Sequence, residues 1–212
     1  MGGAKRLRYC VDNEWRESKT TKPYMPVTDS STGAVIAEAP CCTVEEVDSA
    51  VAAAKAAFPG WSSRPVQQRV ELMFHFRALL EKHLDELTLS VATELGKNLD
   101  EARGDILKAM EVVEVACGAP ILMQGDALMN VSTGHDTVMY REPVGVFAGI
   151  VPFNFPAMIP FGWMIPLCIT LGNTFVLKSA SLTPMTSMRV LELLIEAGRP
   201  KGGVNLVTCT RK

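Results

Sequence analysis

The chain has 212 residues, 48% hydrophobic and 21% charged, enough to bury a core as one large domain or two small ones. Its 21 basic and 23 acidic side chains give a net charge of −2, which leaves no basic footprint for a phosphate backbone and argues against nucleic acid as a partner. Six cysteines, at 10, 41, 42, 117, 168 and 209, form no CxxC pair and have no histidine at ligand spacing, so neither a disulfide scaffold nor a metal site is expected.

The start is basic, but no apolar run of signal length follows, so no secretory signal is read and the cytoplasm is expected. Residues 8–16 read as extended, with a hairpin turn at Asp12-Asn13, and Val35 begins a second short strand. Thr43 and Glu46 form a capping box that opens an alanine-rich helix, which Pro59-Gly60 should end. A second helix is expected from about Pro65, with Val66, Val70, Met73, Phe74, Leu79 and Leu80 on its apolar stripe. A third runs from Leu84 to Leu95 and stops at Gly96; a fourth runs from Asp100 to Cys117, ended by Gly118 and Pro120. Ala127–Ser132 and Thr137–Arg141 then read as two strands joined by the loop 133–136.

From 143 to 177 no residue is charged, a length that could span a bilayer. Pro143, Pro152, Pro156, Pro160 and Pro166 within it would leave carbonyls unpaired in hydrocarbon, so the run reads as a strand, a buried helix and a second strand rather than a membrane segment. Strands starting at Val146, Thr174 and Val204, with a helix from Pro184 to Ala197, have the spacing of two βαβ units. The fold class is therefore α/β: a helical N-terminal region, a β-hairpin, then an incomplete parallel Rossmann-like βαβαβ sheet. The expected divisions are 1–125, 126–142 and 143–212. An open edge and an uncovered apolar face are expected on so short a sheet.

Ligands of such sheets sit beyond the carboxyl ends of the strands. The loop after the first strand, Val151 to Pro156, lacks GxGxxG. Asn154, between two phenylalanines, is either a buried loop-capping amide or a polar group aimed into a site. Lys178, at the end of an apolar strand, either reaches a ligand's hydroxyls or snorkels at the sheet edge.

Several separated motifs carry a family resemblance. Pro152-Phe-Asn-Phe-Pro156 resembles the Pro-Trp-Asn-Phe-Pro signature of the aldehyde dehydrogenase superfamily, and Gly172-Asn-Thr-Phe-Val-Leu-Lys178 its Gly-Asn-x-x-x-x-Lys strand, followed by Thr183-Pro184. Glu94 to Asp105 is similar to the family's segment before the hairpin. Phe153 in place of Trp, the run Met158 to Pro166, and Glu111 to Gly118 resemble the CoA-acylating, methylmalonate-semialdehyde dehydrogenase branch. The likeness extends from about Tyr9 to Arg211.

The resemblance implies an NAD-dependent oxidation of methylmalonate or malonate semialdehyde to an acyl-CoA, with CoA as co-substrate. A cysteine thiolate attacks the aldehyde, and the Asn154 side chain donates to the resulting oxyanion. Val151 and Phe153 would line the cofactor and Lys178 would bond the adenosine ribose. Ser181 stands where the family often has a glutamate, so no carboxylate there repels a 2′-phosphate, and NADP remains open beside NAD. Arg103 either pairs with the substrate carboxylate or forms a surface ion pair with Glu101 or Asp105. Glu94-Leu-Gly-Lys97 imitates the family's general-base motif but is one glycine short and lies upstream of Asn154, so it is set aside.

No cysteine lies in the Gly-Gln-x-Cys context of the family nucleophile, and no Gly-Ser/Thr-x-x-Gly phosphate loop is present. The resemblance thus implies an N-terminal portion of a homo-oligomeric enzyme, inactive alone. The alternative is a non-catalytic interaction module or a degenerate paralogue, engaging partners through the 127–141 strands and open sheet edges.

Overall fold

The structure, a computed structural model, describes residues 4–209. The chain opens with β1 (Lys5–Arg6), β2 (Tyr9–Val11) and β3 (Glu14–Arg16). Asp12 and Asn13 both take positive φ, 56° and 65°, the two-residue turn that suits the twist of a hairpin. β4 (Met25–Thr28) pairs antiparallel with β5 (Val35–Ala39), and β1 lies parallel along the other edge of β5.

In α1 (Val44–Ser62) the capping box is complete, with the Glu46 N–H donating to Thr43 Oγ1 at 3.3 Å and the Thr43 N–H to Glu46 Oε2 at 2.8 Å. Pro59-Gly60 does not end this helix. A proline three residues from the end forfeits one ladder bond, and burial of Trp61, whose Nε1 donates to the Ile169 carbonyl at 2.8 Å, holds the last turn in place.

The stripe of α2 (Val66–Lys82) also differs from expectation. Its buried residues are Arg69, Val70, Leu72, Met73, Phe76 and Leu80, whereas Phe74 is 58% exposed. Residues 69, 72, 73, 76 and 80 follow helical spacing, and Phe74 stands one residue, about 100°, out of that row. The buried Arg69 guanidinium donates to the Thr170 carbonyl at 2.8 Å and to those of Ser62 and Arg64.

α3 (Leu84–Leu95) stops at Gly96, whose φ of 70° is the left-handed cap that glycine tolerates. α4 (Leu99–Cys117) is capped by the Asn98 side chain, which accepts the Glu101 N–H at 2.8 Å. Pro120 does not act as a stop; it occupies the first turn of a short α5 (Ala119–Leu122), where its missing N–H costs nothing.

β6 (Ala127–Ser132) and β7 (His135–Val138) form a separate two-stranded sheet. The turn is tighter than the expected four-residue loop, because Gly134 at φ 74° closes it and His135 already pairs with Ser132.

The remaining elements are β8 (Val146–Ile150), a π-helical stretch Ile159–Met164 continuing into α6 (Ile165–Thr170), β9 (Thr174–Lys178), α7 (Pro184–Glu196) and β10 (Val204–Val207). A Cβ on Gly162 would fall 2.9 Å from Ala109 Cα, so only glycine lets the π stretch pack this closely on α4. β8, β9 and β10 are parallel, with Ile150, Lys178 and Val207 in one row.

The sheet order is β3-β2-β10-β9-β8. The third parallel strand is not an edge, because β2 runs antiparallel along β10. Both faces of the central strands are covered too. Val176 and Val207 pack with Ala50 and Ala54 of α1, while Phe175, Leu177 and Leu206 join the main core with α2, α4, α6 and α7. Among the described residues the outer strands are β3 and β8, and on β8 Phe147 and Ile150 remain exposed.

One buried group opposes this packing. Arg199, between α7 and β10, is 3% exposed and points Nη2 at Cys10 Sγ, 3.9 Å away. Its Nε and Nη1 reach no acceptor among the described residues. Burial pushes the guanidinium down to about 10, still charged at neutral pH. Asp12 acts on this charge only from beyond ion-pair distance, and a buried charge with no carboxylate bonded to it costs more than an apolar side chain of similar volume. Arg199→Met is expected to raise the urea midpoint, worth about 1–3 kcal/mol of unfolding free energy; an unchanged or lower midpoint would show the charge to be satisfied.

Candidate functional site

The parallel strands bring Val151, Phe153, Asn154, Lys178 and Ser181 to one end of the sheet. The Val151 N–H donates to the Lys178 carbonyl at 3.3 Å, tying the loop after β8 to the end of β9. The Ser181 hydroxyl donates to the Cys209 carbonyl at 3.2 Å, tying the next loop to the end of β10. Val151 is buried in the core and Phe153 is half-exposed.

The 151–158 loop has two prolines and no regular ladder, so side chains satisfy its backbone. The Thr183 hydroxyl donates to the Phe153 carbonyl at 3.1 Å and the Ser187 hydroxyl to the Pro156 carbonyl at 2.8 Å. The Lys97 ammonium donates to the Asn154 carbonyl at 2.9 Å. Asp105 Oδ1 accepts the Met158 N–H at 2.8 Å. Burial pushes the Asp105 carboxyl up, against the pull of Met158 and the Lys97 charge. Sequence reasoning missed all four pins as pins. The one signal for Lys97 was its place directly after the helix-stopping Gly96.

Of the two readings of Asn154, the buried loop cap is not what the fold contains. The residue is exposed, and its carboxamide has no partner among the described residues. Lys178 is half-buried, and its ammonium likewise has no hydrogen-bond or ion-pair partner among them. Arg103 stands elsewhere: its Nη1 pairs with Asp85 of α3 at 2.6 Å, a surface ion pair whose partner is neither Glu101 nor Asp105.

Glu94 has a structural assignment. It is 3% exposed, and its carboxylate accepts the N–H groups of Met185 and Thr186, at 2.7 and 2.8 Å, and the Thr186 hydroxyl at 2.6 Å. It caps the N-terminus of α7 from a different helix. This bears on what the site can hold. Lys178, Ser181 and the 151–154 loop leave polar groups for a nucleoside and a polar ring, but at the N-terminus of α7 the free N–H groups already hold a carboxylate, which would repel a pyrophosphate. A cleft of about 540 Å³ lies elsewhere, lined by Leu7, Trp15, Met188 and Arg189 among others and by none of residues 151–156 or 178–181. No group of three metal-ligating side chains occurs among the described residues, and no helix there is long and apolar enough to cross a membrane.

Burial activates none of the thiols of Cys10, Cys42, Cys117, Cys168 and Cys209. Burial pushes Cys42 up to about 11 and Cys168 to about 12, and raises Cys10, Cys117 and Cys209, the last despite Lys178 nearby. A shift from 9 to about 11 cuts the thiolate fraction of Cys42 about 100-fold at neutral pH. Iodoacetamide labelling followed by peptide mass spectrometry is expected to modify these five cysteines far more slowly in the native chain than in urea. Rapid native labelling of any of them would reveal an activated nucleophile.

Malonate-semialdehyde dehydrogenase of Listeria monocytogenes serotype 4a (strain HCC23) is 45% identical over 207 residues, 98% of this chain and 42% of that protein. The crystal structure of methylmalonate-semialdehyde dehydrogenase from Oceanimonas doudoroffii superposes with a TM-score of 0.93 at 36% identity, covering 98% of this chain and 42% of that one. A structure from Sinorhizobium meliloti 1021, assigned as a methylmalonate-semialdehyde dehydrogenase and complexed with NAD, gives 0.94 at 34% identity, with 99% and 42% covered. The chain thus spans about two fifths of the length of these relatives. Its residues 15–212 match the aldehyde dehydrogenase family, and the chain belongs to that family.

Proposed function

We propose that this chain carries the helical N-terminal region, the hairpin and the first cofactor-binding strands, residues 1–125, 126–142 and 143–212, of a cytoplasmic NAD-dependent dehydrogenase that converts malonate or methylmalonate semialdehyde to an acyl-CoA. The observation that carries this reading is Asn154: an exposed, unpartnered carboxamide on a pinned loop beyond the carboxyl ends of parallel strands. The relatives' activity supports the choice of substrate.

In this reading Asn154 donates its side-chain N–H to the aldehyde oxygen as negative charge develops there. Val151 and Phe153 border the nicotinamide, Lys178 bonds the ribose hydroxyls, and the Ser181 oxygen, having donated to Cys209, keeps lone pairs to accept from them. When bound, NAD supplies the hydride acceptor; without a carboxylate at Ser181, NADP fits the same end. CoA is the co-substrate that releases the acyl group. Arg103 could meet a substrate carboxylate only by leaving Asp85. The nucleophilic cysteine and the general base are contributions that this chain does not supply.

The chain alone is expected not to reduce NAD with malonate semialdehyde and CoA. NAD is expected to bind with a dissociation constant above about 1 mM, worth less than about 4 kcal/mol, because the pyrophosphate lacks its backbone cradle. Amide NMR shifts during a millimolar NAD titration should concentrate on 151–154 and 178–181. Enzyme-like turnover, micromolar affinity in calorimetry, or shifts confined to other residues would overturn the reading.

A second reading, an interaction module, is favoured by the hairpin. Leu128, Met129, Val131 and Val138 are all more than half exposed on β6 and β7, a small sheet whose outer edges are both free among the described residues. Homo-oligomerisation through this hairpin is expected to show as a concentration-dependent mass in light scattering that Met129→Lys abolishes. A monomer at all concentrations would count against it.

A further inference from the structure

The α3–α4 connection is three residues long and fixed at both ends. Gly96 caps α3, its N–H donating to the Ala92 carbonyl at 2.8 Å, and Asn98 caps α4 through the Glu101 N–H. Ser30 holds the same corner, its N–H donating to the Thr93 carbonyl at 3.1 Å. Lys97 therefore leaves a rigid corner, and its side chain crosses to the 151–158 loop. Its Nζ lies 2.9 Å from the Asn154 carbonyl oxygen and 3.8 Å from the centroid of the Phe155 ring. The ammonium thus makes a charge-assisted hydrogen bond and a cation–π contact to consecutive residues.

We propose that Lys97 is a positioning residue for Asn154. The direction of an α-carbon's side chain is set by the two peptide planes that flank it. The plane before Asn154 is fixed where the Thr183 hydroxyl holds the Phe153 carbonyl; the plane after it is fixed where Lys97 holds the Asn154 carbonyl. With both planes held, only the side-chain torsions of Asn154 remain free. Thr183 is 1% exposed and enclosed by the core, while Lys97 is only partly covered. The second plane thus depends on a cation that stretches across the surface, and on Phe155, whose ring packs partly into the core and offers its face to that cation. The proposal rests on the reading of Asn154 as the donor to the aldehyde oxygen, but the effect on the loop is measurable without any reaction.

The test is ¹⁵N relaxation of the whole chain, comparing the unaltered protein with Lys97→Met, Lys97→Arg and Lys97→Gln. Backbone order parameters at Asn154 and Phe155 are expected near 0.85 in the unaltered chain and below about 0.6 in Lys97→Met and Lys97→Gln. Residues 175–177 of β9 should keep their order in all variants. Lys97→Arg is expected to restore most of the loss, because guanidinium can both donate to the carbonyl and stack on the ring. Glutamine serves as the uncharged variant if methionine prevents folding. Unchanged order in both uncharged variants, or an arginine variant as mobile as they are, would overturn the proposal. The NAD titration separates this from the functional reading: loop order that depends on Lys97 with no NAD shifts at 151–154 would sink the dehydrogenase reading and leave the positioning role standing.

Discussion

The structure turns on a loop that cannot satisfy itself. Residues 151–158 leave the sheet at the carboxyl end of its parallel strands with prolines at 152 and 156, so two of them lack donors and the segment forms no regular ladder, yet several of its backbone groups are shielded from water. Each unmade bond of this kind costs about 1–3 kcal/mol. The partners come from far along the chain: Lys97 and Asp105 from the helical half, Thr183 and Ser187 from the second crossover. This gives the N-terminal helices a role beyond filling a core. Without α3 and α4 against the sheet, the loop carrying Asn154 would lose the Lys97 and Asp105 pins and keep only those of Thr183 and Ser187.

The same logic explains Glu94. A carboxylate buried among apolar side chains is costly, and burial raises its affinity for a proton. Three donors at the start of α7 offset that cost, and the helix dipole favours negative charge there. The arrangement locks α3 to α7 and so fixes Thr183 and Ser187 relative to Lys97. It also takes up a helix terminus of the kind that receives a ligand's phosphate. Rigidity of the Asn154 loop and anion binding at α7 are alternatives, and this sequence has chosen the first.

Much of this was legible in the sequence where local chemistry decides. The capping box at Thr43 and the stop at Gly96 are set by neighbours a few residues apart, the two βαβ units by the regular spacing of apolar strands, and the structure contains all of them. Expectations failed where distant packing overrode local preference. Pro59 reads as a terminator until Trp61 finds the Ile169 carbonyl; Phe74 reads as core until Arg69, a charged residue, occupies the buried row in its place. The pairing of β2 with β10 joins residues nearly two hundred apart, and no periodicity announces it. At the site, Asn154 and Lys178 could be singled out because a polar group interrupts an apolar run. Lys97 could not, because a lysine after a helix cap ordinarily faces solvent.

Many of the exposed apolar residues are scattered singly over the helices, but one group is not. Leu128, Met129, Val131, Val138, Met139, Tyr140, Val144, Phe147 and Ile150 fall in one stretch that runs from the hairpin into the open edge strand β8. Scattered hydrophobes on a surface need no explanation, but a continuous strip beside unpaired strand edges does. Elsewhere the N-terminal hairpin covers β10 and moves that side's edge out to the short β3, and helices cover both faces of the central strands. Of the two outer strands, the three-residue β3 is short, whereas β8 offers a longer edge with Phe147 and Ile150 exposed on it. The 151–158 loop begins where this open strand ends, so whatever pairs with β8 also arrives beside Asn154.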